Sequence, residues 1–211
     1  TSVSTFGDTL FINGQAIIIP GISYLNVVPT FGSVTDASGN TYQTLQIGSQ
    51  EWMAENLKTE NFANGDPIPM ITGSYSSSNY PPSWSWADNN SSNEAIYGKY
   101  YNGSAINDSR NVCPSGWHTP SQNDWYQLIL YFGGEFGSSG NSCNPCEGGD
   151  ALKSNTVWNG SNISYMSIVP AGQVNSNGSA SALNSEAHLW TSDSPGGPGN
   201  YSLGFFNDNT V

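Results

Sequence analysis

The segment Asn111–Phe132, NVCPSGWHTPSQNDWYQLILYF, decides the fold, because a cysteine, a turn, a helix start and an amphipathic helix follow one another in it without a gap. Thr119 is placed to cap the helix, and Pro120 suits the first helical position, where a missing N–H costs nothing. An apolar stripe at helical spacing follows, made of Trp125, Leu128, Ile129 and Phe132. The pattern predicts a helix over residues 120–132 that packs on a core and ends at Gly133-Gly134.

The composition is that of a chain whose surface is polar but sparsely charged. Only 9% of the 211 residues are charged, and 4 Lys and Arg stand against 16 Asp and Glu, a net charge of -12. Without clustered cations we expect no binding to nucleic acid or to anionic lipid. No apolar run approaches the roughly 18 residues of a membrane span. This composition is common in secreted and cell-surface proteins, and any signal or lipid anchor is expected upstream of the first residue.

Residues 1–33 are predicted to form an N-terminal unit, a β-hairpin followed by a linker. The segment Leu10–Ile19 carries Asn13-Gly14, the pair favoured in a two-residue turn. Residues 24–33 are interpreted as the linker, and the main domain is predicted over residues 34–211. A lone hairpin is marginal in water, so we expect it to lean on the domain, on upstream chain or on a partner.

The main domain is predicted to be α+β, with one main helix, many short strands and long loops. Asp36–Asn40 is interpreted as a hairpin turn rather than a calcium loop, because Thr41 and Ile47 occupy the positions that such a loop gives to Gly and Glu. Further strands are expected in segment Tyr97–Asn102, around Val157 and Ile168, and over residues 188–191 and 201–206. Core packing is the expected role of most tryptophans, namely Trp52, Trp117, Trp125, Trp158 and Trp190.

The long loop over residues 71–93 is the candidate ligand-binding surface. Aromatic rings in it alternate with polar groups, a combination that can stack on sugar faces and bond hydroxyls. The alternative, that the loop folds back and buries its aromatic rings, carries equal weight. The candidate binding residues are Tyr75, Tyr80, Trp84, Trp86, Asp88 and Asn89.

The three cysteines do not indicate a metal or a reactive thiol. Cys143 and Cys146 are close enough in sequence for a local disulfide, which leaves Cys113 unpaired or bonded to a partner outside this chain. A zinc site would need about four ligands, and no second CxxC is present. No cofactor is expected, although calcium remains open because its loop ligands have no fixed spacing.

No residue is predicted to be catalytic. His118 and His188 are isolated in the sequence, so a structural role is expected for both. Glu55 is interpreted as a hydrogen-bond acceptor for backbone groups rather than as a general acid.

Four motifs together resemble the Fibrobacter succinogenes major paralogous domain. Two of them are specific, WMAENLKT over residues 52–59 and CPSGWHTP over residues 113–120, and two are looser, VTDASGNTY over 34–42 and YGKYYN over 97–102. The resemblance covers about residues 34–211.

The resemblance implies a secreted or surface-anchored protein of the Bacteroidetes/Fibrobacteres group with a C-type-lectin-like fold, as in formylglycine-generating-enzyme domains. It also implies that a terminal strand with a cysteine partner for Cys113 is missing here. The N-terminal segment is similar to leader segments of such proteins, and Asp8-Thr9-Leu10 fits their O-glycosylation pattern, with Thr9 as the acceptor.

These expectations favour a non-enzymatic recognition or adhesion domain that binds a glycan or a surface protein through loops 71–93 and 135–150. Two alternatives remain. One is a structural subunit of a surface or secretion assembly that pairs with other subunits by β-augmentation. The other is a formylglycine-type oxidase, which would need a pocket with a metal or a thiol.

Overall fold

The computed structural model describes residues 3–6, 9–12, 15–18, 29–73, 81–134, 147–175, 178–193 and 202–206. Within these ranges the chain is α+β, as predicted. The helices are short: α1 Glu94–Tyr97, α2 Gly103–Ile106, α3 Gln122–Tyr131 and α4 Glu147–Leu152, with 3-10 turns at Ala87–Asn89 and Ser91–Asn93. The strands are β1 Val3–Phe6, β2 Thr9–Ile12, β3 Gln15–Ile18, β4 Phe31–Thr35, β5 Thr41–Ile47, β6 Gln50–Met53, β7 Trp84–Ser85, β8 Tyr100–Tyr101, β9 Gln173–Val174, β10 Ala180–Ser181, β11 Glu186–Trp190 and β12 Ser202–Phe206.

The main helix is confirmed, but it starts two residues later than predicted. Its N-cap is Ser121, whose hydroxyl accepts a hydrogen bond from the Asp124 backbone N–H, while the Asp124 carboxylate accepts one from the Ser121 N–H. This reciprocal capping box satisfies two N–H groups at once, so Ser121 caps the helix rather than Thr119. The predicted stripe is also confirmed, since Trp125, Leu128, Ile129 and the C-cap Phe132 are buried.

The first sheet of the main domain has the order β4-β5-β6. Asp36 closes the β4–β5 turn, because its Oδ1 accepts hydrogen bonds from the Ser38 and Asn40 backbone N–H groups. The hairpin interpretation of this turn is therefore confirmed. Strand β4 begins at Phe31, which pairs with Leu45, so the strand starts within the segment interpreted as the linker.

The N-terminal strands form a three-stranded antiparallel sheet in the order β1-β2-β3. Ile12 lies opposite Gln15, which leaves two residues between the strands, as the predicted hairpin requires. β1 is an additional strand that pairs with β2. Thr9 is the first residue of β2.

Several other predicted elements take a different form. The segment predicted as a strand from Tyr97 is the end of α1 followed by the two-residue strand β8. No strand forms at Val157, and Ile168 makes only an isolated bridge with Lys153. Residues 147–150, assigned to a loop, begin α4. The last two predictions hold, as β11 and β12 pair antiparallel.

Two hydrophobic clusters build the core. The first joins the β5–β6 hairpin, α3, α4 and the β11–β12 pair. The second contains Phe62, Ile68, Trp84, Tyr101, Ala105, Val112 and Cys113. Trp190 bridges the two regions, because its indole N–H donates to the Tyr101 carbonyl at 2.8 Å.

Candidate functional site

A cleft of about 1070 Å³ opens where the two clusters meet. Trp52, Trp125 and Ile168 of the first cluster line one wall, and Tyr101 and Val112 of the second line another. A cavity of this size is large enough for a small-molecule or oligosaccharide ligand. The motifs WMAENLKT, YGKYYN and CPSGWHTP all contribute residues to its lining.

Partly exposed aromatic rings stand on the walls of this cleft. Trp117 follows the CPSG turn and is half-buried, as are Trp190 and Tyr100. Among the described residues, no acceptor faces the indole N–H of Trp117. A half-exposed indole with an unused donor offers both an apolar face and a hydrogen bond.

The hydroxyls of Tyr100 and Tyr101 are neutral donors in the cleft. Burial raises the pKa of Tyr100, and its hydroxyl donates to the Ala171 carbonyl. Burial also raises the pKa of Tyr101, whose hydroxyl donates to the Thr59 carbonyl at 2.7 Å. Both hydrogen bonds hold the rings in place, so the cleft is preformed on this side.

Amide and imidazole groups add polarity to the cleft. The Asn56 amide donates to the Tyr97 carbonyl at 3.0 Å, which joins the WMAENLKT segment to the end of α1. His188 lies 2.9 Å from the Glu186 carboxylate, and His118 lies 3.5 Å from that of Asp124. His118 is 77% exposed, so it is accessible at the mouth of the cleft. The carboxylate near His118 was not identifiable from the sequence; the capping box of α3 places Asp124 there.

Ion pairs of the buried Lys99 with two partly exposed carboxylates fix the α1 side of the cleft. The Lys99 ammonium lies 2.7 Å from Glu94 and 3.2 Å from Glu60, and its side chain is only 2% exposed. Burial of Glu94 would raise its pKa, but hydrogen bonds from Lys99 and the Trp86 indole outweigh it, so the pKa is lowered. Glu94 is therefore ionised at neutral pH and serves structure.

The predicted binding tryptophans lie outside the cleft. Trp84 is 4% exposed, and its indole N–H donates to the Ile68 carbonyl at 2.9 Å, so it offers no open stacking face. Trp86 is half-buried, packs edge-on against Trp84 and donates to Glu94 at 2.6 Å. Part of loop 71–93 has thus folded back, as the alternative interpretation expected, because the indoles find buried acceptors there.

Asp88 and Asn89 are the predicted site residues that remain exposed. Both adopt positive φ, at 51° and 53°, which is uncommon outside glycine. Asp88 accepts a hydrogen bond from the Ala180 N–H at 3.2 Å, and the Asn89 amide faces the Gly178 carbonyl at 3.4 Å. These contacts connect the loop to the β9–β10 segment. Tyr75 and Tyr80 lie outside the described residues.

Cys113 is a buried free thiol next to the Thr119 hydroxyl, 3.7 Å away. Burial raises its pKa, and the Thr119 contact only partly offsets this effect. A reactive cysteine needs a lowered pKa, so nothing in this environment activates the thiol. Cys143 and Cys146 lie outside the described residues, as does the Thr9 side chain. The proposed disulfides and glycosylation stay predictions.

Glu55 has the predicted acceptor role. Its Oε1 accepts a hydrogen bond from the Gln43 backbone N–H at 3.1 Å, and its Oε2 pairs with Lys58 at 3.2 Å. In the described part of the chain, no group of three or more His, Cys, Asp or Glu side chains is arranged to hold a metal ion. None of the helices in these ranges has the length and hydropathy needed to cross a bilayer.

The cleft was not predicted from the sequence, although three of the motifs singled out there supply residues to its lining. It assigned Trp117 and Trp190 to core packing, and each does pack partly against core residues. The available signal was that three motifs of the resemblance combine aromatic residues with a few polar ones, as ligand sites do.

Comparison with known proteins identifies one family. The model of the Fibrobacter succinogenes major domain matches residues 45–210. No curated protein and no solved structure matches the chain.

Proposed function

We propose that this chain, which belongs to the Fibrobacter succinogenes major domain family, is an extracellular recognition domain that binds a glycan in the cleft and performs no chemistry on it. The observation that carries the proposal is the cleft itself, of about 1070 Å³, with half-buried Trp117, Trp190 and Tyr100 beside amide and imidazole groups. The C–H faces of sugar rings are apolar and rest on aromatic rings, while their hydroxyls need polar neighbours.

The C-type-lectin-like fold is part of the same proposal. The main helix, the short paired strands and the long irregular segments are compatible with that fold. The thiol of Cys113 is free here and lines the cleft, so a disulfide at this position would fix one wall.

The test is glycan-array binding by purified protein, followed by titration of the strongest hit. Trp117→Ala should weaken binding by at least about tenfold, the loss typical of a central aromatic anchor. Trp158→Ala is the matched control, since Trp158 is also half-buried but does not line the cleft. Equal affinity of the wild type and Trp117→Ala would refute binding in the cleft.

Trp86→Ala separates the cleft from the loop surface that the sequence favoured. Trp86 lies outside the cleft lining, so binding by this variant should match the wild type. Thermal unfolding would first confirm that each variant folds. Loss of binding in Trp86→Ala together with full binding in Trp117→Ala would transfer the site to the surface formed by Trp86, Asp88 and Asn89.

A second candidate function is that of a structural subunit, and the N-terminal sheet favours it. Among the described strands, β1 and β3 each pair on one side only. Such edges can accept a strand from another chain. Light scattering over a range of protein concentrations tests this: growth of the oligomer with concentration, abolished by deleting residues 1–28, would support a subunit role, and a constant monomer mass would oppose it.

A further inference from the structure

Every lysine and arginine side chain of this protein contacts other side chains of the same chain. The chain has four, Lys58, Lys99, Arg110 and Lys153, and all of them lie in the described ranges. Each of them lies over an aromatic ring. The distances to the ring centroid are 5.6 Å for Lys58 over Tyr42, 4.6 Å for Lys99 over Trp84, 4.0 Å for Arg110 over Phe62 and 5.2 Å for Lys153 over Trp158. Cation–π contacts of this kind favour a cation that stays in place.

Each of the four basic side chains also contacts oxygen atoms of carboxylates, a carbonyl or an amide. Lys58 pairs with Glu55 at 3.2 Å, and Lys99 pairs with Glu94 and Glu60. The guanidinium of Arg110 contacts Asp108 at 2.8 Å and Asp66 at 3.2 Å. Lys153 is fully buried and donates to the Phe206 carbonyl at 3.0 Å and to Asn159 at 3.2 Å.

The same holds for the cationic groups that line the cleft. Of the four basic residues, only Lys58 and Lys99 lie on its walls, and Lys99 is 2% exposed. Both histidines of the chain also line it, and each faces a carboxylate, Asp124 or Glu186. Glu51 and Glu55 add exposed acidic groups.

From this pairing we infer that the cleft takes uncharged saccharides and rejects those that carry carboxylate or sulfate groups. The inference rests on the proposed function and names its ligand class. An anionic sugar entering the cleft would meet no free cation, and it would have to approach a chain with a net charge of -12. Its desolvated charge would then remain uncompensated, which is costly. A neutral sugar needs only the aromatic faces and hydrogen bonds that the walls offer.

The first test is an array that carries neutral cello-, xylo-, manno- and chito-oligosaccharides next to oligogalacturonates, hyaluronan fragments, heparan sulfate fragments and sialylated glycans. We expect binding among the neutral members and none among the acidic ones. Preferential binding to acidic members would overturn the inference and leave the proposed function standing. Binding to no member at all would overturn the proposed function, and the inference with it.

The second test uses the strongest neutral oligosaccharide and the same molecule with its terminal C6 hydroxyl oxidised to a carboxylate. We expect the oxidised form to bind at least about tenfold more weakly in low salt, and the difference to shrink in high salt as charges are screened. Equal affinity for the two forms would contradict the inference.

Glu55→Gln identifies the cause of the rejection. This variant releases Lys58 from its ion pair, so affinity for the oxidised form should recover by about fivefold, the size of one exposed ion pair. Glu51→Gln removes the same charge from the same cleft without freeing a cation, because the Glu51 carboxylate accepts from the Thr44 hydroxyl instead. Equal behaviour of the two variants would refute cation pairing as the basis of the specificity.

Discussion

At the scale of single residues, Lys99 is important both for stability and for the geometry of the cleft. Its ammonium is desolvated between Glu94, Glu60, the Lys58 carbonyl and the Trp84 ring. Removing this buried lysine would leave the carboxylates of Glu94 and Glu60 without their cation, and Glu94 is largely withdrawn from water. Lys99 also fixes the α1 side of the cleft, so its loss would affect both stability and binding geometry.

We expect Lys99→Met to lower the free energy of unfolding by about 3 kcal/mol, which urea unfolding would measure. Lys58→Met is the matched control, since Lys58 forms one ion pair whose two side chains are 25% and 42% exposed. Its cost should stay below about 1 kcal/mol. Equal costs for the two lysines would show that burial does not set the strength of these pairs.

Gly98 lies beside the cleft at a position where no side chain can be accommodated. Its φ is 68° and its ψ is -149°. An added Cβ would lie 2.8 Å from the Asn56 Cβ and 2.9 Å from the Leu57 carbonyl oxygen, too close for either to remain in place. The WMAENLKT and YGKYYN segments can approach each other only because this position has no side chain.

Gly98→Ala should therefore cost more than about 2 kcal/mol of stability, the sum of a backbone penalty and a steric clash. Gly116→Ala carries the backbone penalty alone, because Gly116 has φ of 84° with nothing within 4 Å of the added Cβ, and should cost about 1 kcal/mol. Thermal unfolding of both variants compares the two; a smaller loss for Gly98→Ala would contradict the close approach.

At the scale of elements, the buried face of α3 could be predicted from the sequence, whereas its N-cap could not. The stripe of Trp125, Leu128 and Ile129 was predictable, since helical periodicity leaves one consistent face. The cap was ambiguous, because Thr119-Pro120 and Ser121-x-x-Asp124 both satisfy capping rules. The reciprocal box decided it in favour of Ser121.

The two candidate caps can be separated by substitution. Ser121→Ala should lower stability by about 1 kcal/mol, since the Asp124 N–H loses its acceptor. Thr119→Ala should cost less than about 0.5 kcal/mol, because its hydroxyl makes only a long contact to the Cys113 sulfur. Urea midpoints measure both. A larger effect at Thr119 would return the helix start to the position that the sequence favoured.

The burial of the tryptophans in loop 71–93 could not be predicted from composition, for a different reason. Trp84 and Trp86 lie among polar residues in the sequence. Trp84 is nevertheless buried, because the Ile68 carbonyl and Lys99, from the segments that flank the loop, contact its ring. The fate of an aromatic residue in a loop depends on such tertiary acceptors, which leave no local pattern.

At the scale of the whole molecule, the family and the fold class were predictable, whereas the cleft was not. The motif around Trp117 identified the family, and the short strands indicated α+β. The cleft is lined by residues of both hydrophobic clusters and by Trp190, whose indole donates to the carbonyl of Tyr101, a residue 89 positions away. No spacing rule in the sequence anticipates that contact.

The ion pair between Asp108 and Arg110 predicts how the stability of the protein depends on pH. Hydrogen bonds from Arg110 lower the pKa of Asp108 from 3.8 to about 2. Because the folded pKa is the lower one, the unfolded chain takes up the proton first. The stabilisation from this pair is therefore complete above pH 3.8 and is lost as the pH falls through about 2.

Urea unfolding over a pH series would measure this contribution. Asp108→Asn should be less stable than the wild type at neutral pH, and the difference should disappear towards pH 2. Asp150→Asn, which changes the net charge equally outside this ion pair, is the control. A difference between Asp108→Asn and wild type that stays constant over the whole series would show that the Arg110 pair does not set it.

The central claim is that a sugar ring rests on Trp117 in the cleft, and indole N–H resonances of the 7 tryptophans test it most directly. The strongest neutral oligosaccharide of the array is titrated into ¹⁵N-labelled protein, with peaks assigned by single Trp→Phe variants. We predict that the Trp117 resonance shifts with saturation while that of buried Trp84 stays in place. A saturable shift at Trp86 with none at Trp117 would contradict the account.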